Sequence, residues 1–343
     1  MIAARVMNEI QMKLIKFTKM QGLGNDFVVI DDLGPLPATS GTIVASGTVA
    51  ASGDISVAQA KKICDRRFGV GADQILWLRR PRPHAHVESA LSGARPEARP
   101  DARMEILNAD GSTAEMCGNG IRAVALYLNR HIFPGQTAFK IETLAGIKTV
   151  QVNGALVLVD MGIPVLGSVG ADVRGTGIPA GGEKIQVQDT EFRFFEVNVG
   201  NPHAVLFINS GELGGARGAG GVKGARGAGA VEGALDFFPV EKWGPLLEAH
   251  SRFPQRTNVE FVEVKGPNAI QVRVWERGAG ITLACGTGAC ASAVASLVAG
   301  KVQNPVEVRL PGGNLKITWA GPGSSVLMEG PAEEVFSGEI RLD

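Results

Sequence analysis

The sequence is poor in cysteine and histidine, and it has no net charge. Only four cysteines and five histidines occur in 343 residues, and no Cys-x-x-Cys pair is present. A zinc or other metal site is therefore not expected. Lys+Arg and Asp+Glu are equal at 34 each, which gives no overall attraction to nucleic acid. No apolar run approaches the roughly 20 residues of a membrane-spanning helix. We therefore expect neither nucleic acid nor a membrane as a partner.

The N-terminal segment also lacks the unbroken apolar core of a signal peptide, because Glu9, Gln11 and Lys13 interrupt it. Export is not indicated, and we expect a cytoplasmic protein with reduced thiols. The composition, 45% hydrophobic and 20% charged, is typical of a soluble globular protein. A chain of 343 residues is long enough for two domains. The turn MGIP at 161–164 is a suitable boundary between them.

Two stretches of one pattern stand out in what the sequence does contain. Cys117 and Cys285 are each followed by Gly-x-Gly, and each then leads into an apolar segment that favours a helix. Glycine leaves backbone N–H groups accessible to a ligand, and a helix start adds a positive potential that attracts anions. The same potential predicts a thiol pKa lowered from about 8.5 toward neutrality. Two such thiols in opposite halves suggest a pair that faces one ligand.

Each copy taken alone has a plainer interpretation. A cysteine before Gly-x-Gly can serve as a small residue in a tight helix start, and Cys64 and Cys290 are typical of buried small hydrophobic residues. Neither copy matches the glycine patterns of nucleotide-binding loops. An internal repeat supports the pair, because a Gly-Asn turn precedes each cysteine, at Asn25 and at Asn201. The simplest account is two like-folded halves that contribute one asparagine turn and one cysteine each to a shared cleft.

Two thiols on opposite faces of one carbon can invert its configuration. One cysteine, as thiolate, removes the proton, and the other, as thiol, delivers a proton to the opposite face. Acid–base catalysis is most effective when the pKa lies near the working pH, and thiols can be tuned to that range. The Gly-x-Gly N–H groups can hold a carboxylate and stabilise the negative charge that develops beside it. The pattern predicts racemisation or epimerisation of an amino acid without pyridoxal phosphate, and it leaves the amino acid open.

Six sequence blocks resemble the diaminopimelate epimerase family, in the order of that family. They are KMQGLGNDFVVID (19–31), CDRRFGVGADQIL (64–76), NADGSTAEMCGNGIR (108–122), GNPHAV (200–205), RTNVEF (256–261) and ERGAGITLACGTGAC (276–290). The stretches 33–53, 80–103 and 211–234 have no counterpart and are predicted to be surface insertions. The start typical of the family falls at Met12, so residues 1–11 are an extension or a misassigned start.

The resemblance implies a fold and a division of the chain. The expected fold is α/β (α+β), with two pseudo-symmetric halves, each a curved and mostly antiparallel sheet around a central helix. One half would comprise 1–162 plus 331–343 and contain Cys117. The other would comprise 163–330 and contain Cys285. The family is usually a homodimer, so the resemblance also implies that state.

The resemblance further implies a reaction and the residues that perform it. The family interconverts LL- and meso-diaminopimelate without a cofactor, in lysine and peptidoglycan-precursor biosynthesis. By match to its motifs, Cys117 and Cys285 are the acid–base pair, and His203 and Glu276 influence the ionisation of the thiols. The residues implied to bind substrate are Asn25, Gln74, Asn108, Gly118, Asn119, Asn201, Asn258, Glu276, Arg277, Gly286 and Thr287.

Two alternatives remain open from the sequence. One is a related two-cysteine racemase of the proline or hydroxyproline type. Asn108, Asn258 and the Glu276–Arg277 pair argue against it, because a short substrate has no distal amino-acid group to occupy them. The other is a non-catalytic member of the fold that only binds an amino acid, and the presence of both cysteines argues against that.

Overall fold

The computed structural model describes residues 13–34, 55–82, 99–167, 182–208 and 233–342. The insertions predicted at 33–53, 80–103 and 211–234 lie largely outside the described residues, and the segment 1–11 lies wholly outside them. Within the described part of the chain, no helix is both long enough and apolar enough to cross a membrane. The same residues contain no group of three or more His, Cys, Asp or Glu side chains arranged to hold a metal ion.

The described residues form two compact units. Unit 1 takes the chain up to Gly22, from Asp26 to Ala155 and from Ala332 onward, and unit 2 takes Leu23–Asn25 and Leu156–Pro331. The division predicted from the sequence, 1–162 plus 331–343 against 163–330, stays a prediction.

Strands make up most of both units. In chain order the strands are β1 (Lys13–Gly22), β2 (Asn25–Asp32), β3 (Gln74–Arg79), β4 (Ala102–Asn108), β5 (Thr113–Ala114), β6 (Ala138–Thr143), β7 (Gly146–Asn153), β8 (Leu156–Asp160), β9 (Val165–Leu166), β10 (Glu183–Val187), β11 (Thr190–Asn198), β12 (Pro202–Phe207), β13 (Asn258–Gly266), β14 (Ala269–Glu276), β15 (Gly280–Thr282), β16 (Val306–Leu310), β17 (Gly313–Trp319), β18 (Val326–Pro331) and β19 (Glu333–Leu342). The helices are α1 (Val57–Cys64), α2 (Gly118–Tyr127), α3 (Val240–Glu248) and α4 (Gly286–Val298), and a π-helical turn, Leu128–Ile132, follows α2 directly. The predicted α/β (α+β) class is confirmed.

The sheet of unit 1 runs in the order β19-β1-β2-β3-β4-β6-β7. Its two parallel contacts are β2 with β3 and β4 with β6. Parallel neighbours need a crossover between them, commonly a helix. Helix α1 lies between β2 and β3 in the chain, and α2 lies between β4 and β6. The contacts of β1 with β19, of β3 with β4 and of β6 with β7 are antiparallel.

Unit 2 repeats this order. Its strands run β11-β12-β13-β14-β16-β17-β18-β8, with parallel contacts between β12 and β13 and between β14 and β16. Helix α3 lies between β12 and β13, and α4 lies between β14 and β16. The strand pairs β2–β3 and β12–β13 therefore occupy equivalent places, as do β4 and β14 and the helices α2 and α4. This correspondence is the predicted pseudo-symmetry.

The helix that follows each cysteine is the buried helix of its unit. Helix α2 buries every residue from Gly118 to Leu126, and α4 buries every residue from Gly286 to Ser296. Helix α2 packs against β1, β7 and β19, and α4 packs against β11, β12, β13 and β17. A helix without a polar face belongs inside a core, and the small residues of α4 allow strands to approach it closely. Each cysteine thus stands where a central helix begins.

Candidate active site

Cys117 caps the N-terminus of α2. Its backbone is extended, with φ −136° and ψ 111°, and its Sγ accepts the N–H of Gly120 at 3.3 Å. The first N–H groups of a helix have no partner within the helix, and a polar side chain at this place normally accepts one of them. The thiol is half-buried. The sequence therefore places a sulfur atom at the positive end of a buried helix.

Cys285 has the same geometry at the start of α4. Its φ is −119° and its ψ is 114°, and its Sγ accepts the N–H of Gly288 at 3.3 Å. The hydroxyl of Thr287 lies 3.4 Å from the same sulfur. Unlike Cys117, Cys285 is buried. The predicted helix starts at Gly118–Asn119 and Gly286–Thr287 thus lie directly beside the two thiols.

The expectation of a lowered thiol pKa is wrong for Cys285. Burial raises the pKa of this thiol well above its usual value, and the nearby Glu276 and Glu260 carboxylates raise it further. The Thr287 hydroxyl and the Gly288 N–H act in the opposite direction and do not outweigh them. The helix potential is a local effect that the sequence reveals, whereas desolvation and neighbouring charge depend on tertiary packing.

Glu276 and His203, both predicted to influence the thiols, lie on the Cys285 side of unit 2. Glu276 accepts the Thr282 hydroxyl at 2.5 Å, and it hydrogen-bonds to the Cys285 side chain. Burial raises the pKa of Glu276. Both ring nitrogens of His203 are engaged by groups other than the thiol. Its Nε2 is 2.9 Å from Asn201 Oδ1, and its Nδ1 is 2.7 Å from Glu260 Oε1.

Glu260 is the site residue that sequence reasoning missed. It lies within the RTNVEF block, as a charged residue between two apolar ones in strand β13. The signal available in the sequence was that carboxylates are rarely fully buried without a partner. The rule could not be applied to Glu260 from the sequence, because it was not known that strand β13 is buried on both faces. The structure places the Glu260 side chain, fully buried, between His203 and the start of α4.

Asn258 holds three segments of unit 2 together. Its Nδ2 donates to the Pro202 carbonyl at 3.0 Å, and its Oδ1 accepts the Arg277 N–H at 3.0 Å. The Arg277 guanidinium donates to the Gln255 carbonyl at 3.2 Å. These bonds fix the starts of β12 and β13 against the turn that follows β14. The predicted residues Asn201, Asn258, Glu276 and Arg277 are thus brought to one end of the unit 2 sheet.

The Glu248 carboxylate stabilises the turn that follows β14. Glu248, at the end of α3, accepts the Trp275 indole N–H at 2.7 Å and the Gly278 N–H at 3.1 Å. Arg256 also donates to Glu248, at 3.3 Å. The backbone on both sides of Glu276 and Arg277 is therefore anchored, which limits the orientations that their side chains can take.

Gln74 and Asn108 form an amide pair in unit 1. They stand opposite each other on β3 and β4, and Gln74 Nε2 donates to Asn108 Oδ1 at 2.9 Å. Asn108 Nδ2 donates in turn to the Ser112 hydroxyl at 2.9 Å. Gln74 Oε1 is buried, and no other described residue hydrogen-bonds to it. A buried acceptor without a donor is costly, so this oxygen is a natural contact for an N–H group of a ligand.

Buried or paired charges support the predicted residues Asn119, in unit 1, and Asn25, at the start of β2. The Asn119 side chain is buried and accepts from Arg122 at 3.0 Å, and Arg122 also donates to the Gly118 carbonyl at 3.2 Å. Asn25 begins β2, next to Asp26, which bonds to Lys19 and to the Arg66 guanidinium at 2.7 Å. Arg66 also binds Asp73, the neighbour of Gln74, at 2.7 Å. One ion cluster therefore fixes the strand starts that contain Asn25 and Gln74.

Known proteins that are similar in sequence to this chain share one description. The sequence model of diaminopimelate epimerase matches residues 17–167 and 231–335. A diaminopimelate epimerase from Desulforudis audaxviator is 42% identical over 330 residues, which cover 95% of this chain and 99% of that protein. One from Carboxydothermus hydrogenoformans is 42% identical over 333 residues, covering 96% and 100%. The chain belongs to the diaminopimelate epimerase family. It is therefore an enzyme of the isomerase class, as the sequence blocks predicted.

Solved structures of more distant proteins show the same fold. A hydroxyproline epimerase from Agrobacterium vitis superposes with a TM-score of 0.60 at 15% identity, and the match covers 96% of this chain and 93% of that one. At such low identity the similarity concerns the fold alone. It agrees with the repeated strand order of the two units.

Proposed function

We propose that this enzyme interconverts LL- and meso-diaminopimelate by proton transfer between the substrate and two thiols. The observation that supports this most strongly is the identical capping geometry of Cys117 and Cys285. Each sulfur accepts the N–H three residues further on at 3.3 Å, at the start of a buried helix. Two equivalent sulfurs on duplicated elements are what a reaction needs when it removes a proton from one face of a carbon and returns one to the other.

The proposed reaction uses only groups of this chain and needs no cofactor. One thiolate takes the α-proton, and the electron pair of the broken C–H bond remains beside the α-carboxylate. N–H groups at the two helix starts stabilise the developing negative charge. The second thiol then gives its proton to the opposite face, which leaves that sulfur as the thiolate. Reversal regenerates the starting state, so the enzyme interconverts both isomers.

The amide groups support diaminopimelate over a shorter amino acid. The proposed substrate has a second amino-acid group at its far end, with an ammonium that donates three hydrogen bonds. The unpartnered oxygen of Gln74, beside Asn108, is a suitable acceptor for such a donor. Neutral amides satisfy a zwitterion without adding a net charge next to a thiolate. Proline offers no distal group for these side chains.

The proposal includes the biological setting that the family implies. The reaction would serve lysine and peptidoglycan-precursor biosynthesis in the cytoplasm, where thiols stay reduced. We also propose a homodimer, which sedimentation equilibrium of the purified protein would test. A single monomer mass across a wide concentration range would contradict it.

The reaction is tested by isotope exchange. Reduced protein is incubated with LL-diaminopimelate in D₂O, and the α-proton signal is followed by NMR. We expect the signal to decay while the meso isomer accumulates. Absence of exchange, with the thiols confirmed as reduced, would contradict the proposal. The same assay with proline would then test the related racemase activity.

Two variants of helix α4 and its cap test whether the activity depends on the Cys285 thiol. Cys285→Ala removes the proposed acid–base group at the start of α4. Cys290→Ala removes a thiol five residues further along the same buried helix, to which no chemistry is assigned. Formation of the meso isomer should stop in the first variant and continue in the second.

A further inference from the structure

Glu260 forms a buried link between His203 and the start of α4. Its side chain and that of His203 are both 0% exposed, and Glu260 Oε1 lies 2.7 Å from His203 Nδ1. The contact follows from the sheet, because β12 and β13 are parallel and His203 stands opposite Asn258, two residues before Glu260. A buried carboxylate is stable only with such a partner.

The same carboxylate also lies near Cys285, on the other side of Gly288. A Cβ added to Gly288 would be 2.7 Å from Glu260 Oε1 and 3.3 Å from Cys285 Sγ. The carboxylate and the sulfur therefore flank the same glycine. The other oxygen, Glu260 Oε2, is buried and has no hydrogen-bond partner among the residues that the structure describes. A carboxylate that keeps one oxygen unsatisfied inside a protein is costly, and such a group calls for a functional explanation.

Unit 1 has no carboxylate at the position that corresponds to Glu260, so the fold does not require one there. Gly120 is the equivalent of Gly288, and a Cβ on it would meet Leu76 Cδ2 at 3.0 Å. Leu76 is the third residue of β3, as Glu260 is the third residue of β13. The duplicated fold therefore accepts a leucine at this place. The carboxylate is specific to the Cys285 side.

We infer that Glu260, held in place by His203, is a positioning residue that acts on Cys285 across Gly288 and keeps this cysteine in its thiol form so that it can deliver a proton. A negative charge close to the sulfur disfavours a second negative charge on it. The inference rests on the proposed function for its catalytic meaning, because a thiol that delivers a proton needs a substrate carbanion to receive it.

The charge around His203 agrees with this role. Asn201 Oδ1 and Glu260 Oε1 face its two ring nitrogens, and both are acceptors when the glutamate is ionised. The ring therefore holds the Glu260 carboxylate in place beside Gly288. The titratable groups facing Cys285 in unit 2 are Glu260 on β13 and Glu276 on β14, with His203 on β12 behind them.

The test measures ionisation of the thiol without using substrate. In a Cys117→Ala background, the rate of iodoacetamide alkylation is recorded against pH, and the Cys285 adduct is quantified by peptide mass spectrometry. Glu260→Gln removes the charge and keeps the size. We expect the midpoint of the alkylation profile to fall by about 1 pH unit or more. Below both midpoints, the variant should react about tenfold faster.

Two further variants make the outcome decisive. Glu260→Asp keeps the charge and should leave the midpoint close to that of the parent protein. Glu263→Gln changes a buried carboxylate of the same strand that binds the Gly233 and Leu235 N–H groups instead, and it should leave the midpoint unchanged. An unchanged or raised midpoint in Glu260→Gln would overturn the inference. If that variant does not fold, a shift of about 1 unit in Glu260→Asp would overturn it equally.

The result separates the inference from the proposed function. Alkylation needs no diaminopimelate, so a shifted midpoint with no exchange in D₂O would reject the substrate and keep the role of Glu260. Exchange with an unshifted midpoint would keep the reaction and reject that role.

Discussion

The backbone follows the same course around Cys117 and around Cys285, but the side chains near the two thiols differ in charge. Asn25 begins β2 and Gly200-Asn201 leads into β12, so Phe27 occupies the place of His203. Leu76 occupies the place of Glu260, as the contacts of the two glycines show. Asn108 ends β4 where Glu276 ends β14. Three ionisable residues of unit 2 therefore have two apolar residues and an amide as their counterparts in unit 1.

This difference suggests how a duplicated fold can support a reaction in which the two thiols have different roles. The duplication provides two equivalent sulfurs at two helix starts. An epimerase needs one sulfur as a base and the other as an acid at any moment, so identical surroundings would give both thiols the same preference. In the proposed mechanism, the side chains at three strand positions would make the preferences differ, with no change in the order of strands.

The comparison predicts that neither cysteine can replace the other. Cys117→Ala and Cys285→Ala should each lower kcat for epimerisation by at least about 100-fold, because general acid–base groups contribute factors of roughly 10² to 10⁴. Kinetics with both isomers as substrate would measure this, and circular dichroism would confirm the fold. Activity near that of the parent protein in either variant would break the two-thiol mechanism.

The two glycines beside the sulfurs should differ in their tolerance of a methyl group. In Gly288→Ala the new Cβ would meet the Glu260 oxygen, which His203 holds at 2.7 Å, whereas in Gly120→Ala it would meet the end of the Leu76 side chain. Leucine has rotameric freedom that the paired carboxylate lacks. We expect Gly288→Ala to destabilise unit 2 by about 1–3 kcal/mol, as overpacking generally does. Gly120→Ala should cost less.

Urea unfolding followed by signals of both units would compare the two variants. Equal midpoints would mean that Glu260 is as free to move as Leu76, and that the carboxylate is not fixed against the start of α4.

The amide pair of unit 1 should affect binding more than chemistry. Gln74→Leu removes the buried oxygen that we assign to the distal end of the substrate, together with the bond to Asn108. Loss of one such hydrogen bond costs about 1 kcal/mol, so KM should rise several-fold while kcat changes less. Steady-state kinetics would show this. A fall in kcat with an unchanged KM would place Gln74 near the reacting carbon instead.

Local features of the site could be predicted from the sequence. Cys-Gly-x-Gly before an apolar segment specifies a capped helix start within a few residues, and both starts lie where the pattern places them. The start of α1 can be predicted from the sequence in the same way, because Ser56 and Gln59 form a capping box. The repeat of Asn25 and Asn201 correctly indicated a duplicated architecture.

Non-local features could not be predicted in the same way. Glu260 meets His203 only because β12 and β13 lie side by side in parallel, and no local pattern reports that pairing. The pKa of Cys285 was predicted in the wrong direction because the helix potential is visible in the sequence, whereas burial and the approach of Glu276 and Glu260 are not. The assignment of roles to the two thiols depends on these tertiary contacts.

The smallest expected effect concerns the ion cluster of unit 1. Burial works against ionisation of Asp26, but the hydrogen bonds and charges of Arg66 and Lys19 prevail and lower its pKa from 3.8 to about 2. A carboxylate with a depressed pKa stabilises the fold above its unfolded pKa, and this contribution is lost as the pH falls through the folded value. The stability of unit 1 should therefore decline between about pH 4 and pH 2.

Asp26→Asn should lower the stability at neutral pH and make the decline over the same interval shallower, because the part that belongs to Asp26 is lost. The difference at neutral pH should be about 1 kcal/mol, because Arg66 is more than half exposed and solvent screens its contribution. Urea midpoints at pH 7, 3.5 and 2.5 would measure it. Arg66→Met should remove part of the same pH dependence, and the double variant should add little to Asp26→Asn, because both residues belong to one cluster. Full additivity would mean that the cluster does not act as a unit, and that the strand starts bearing Asn25 and Gln74 are held by other contacts.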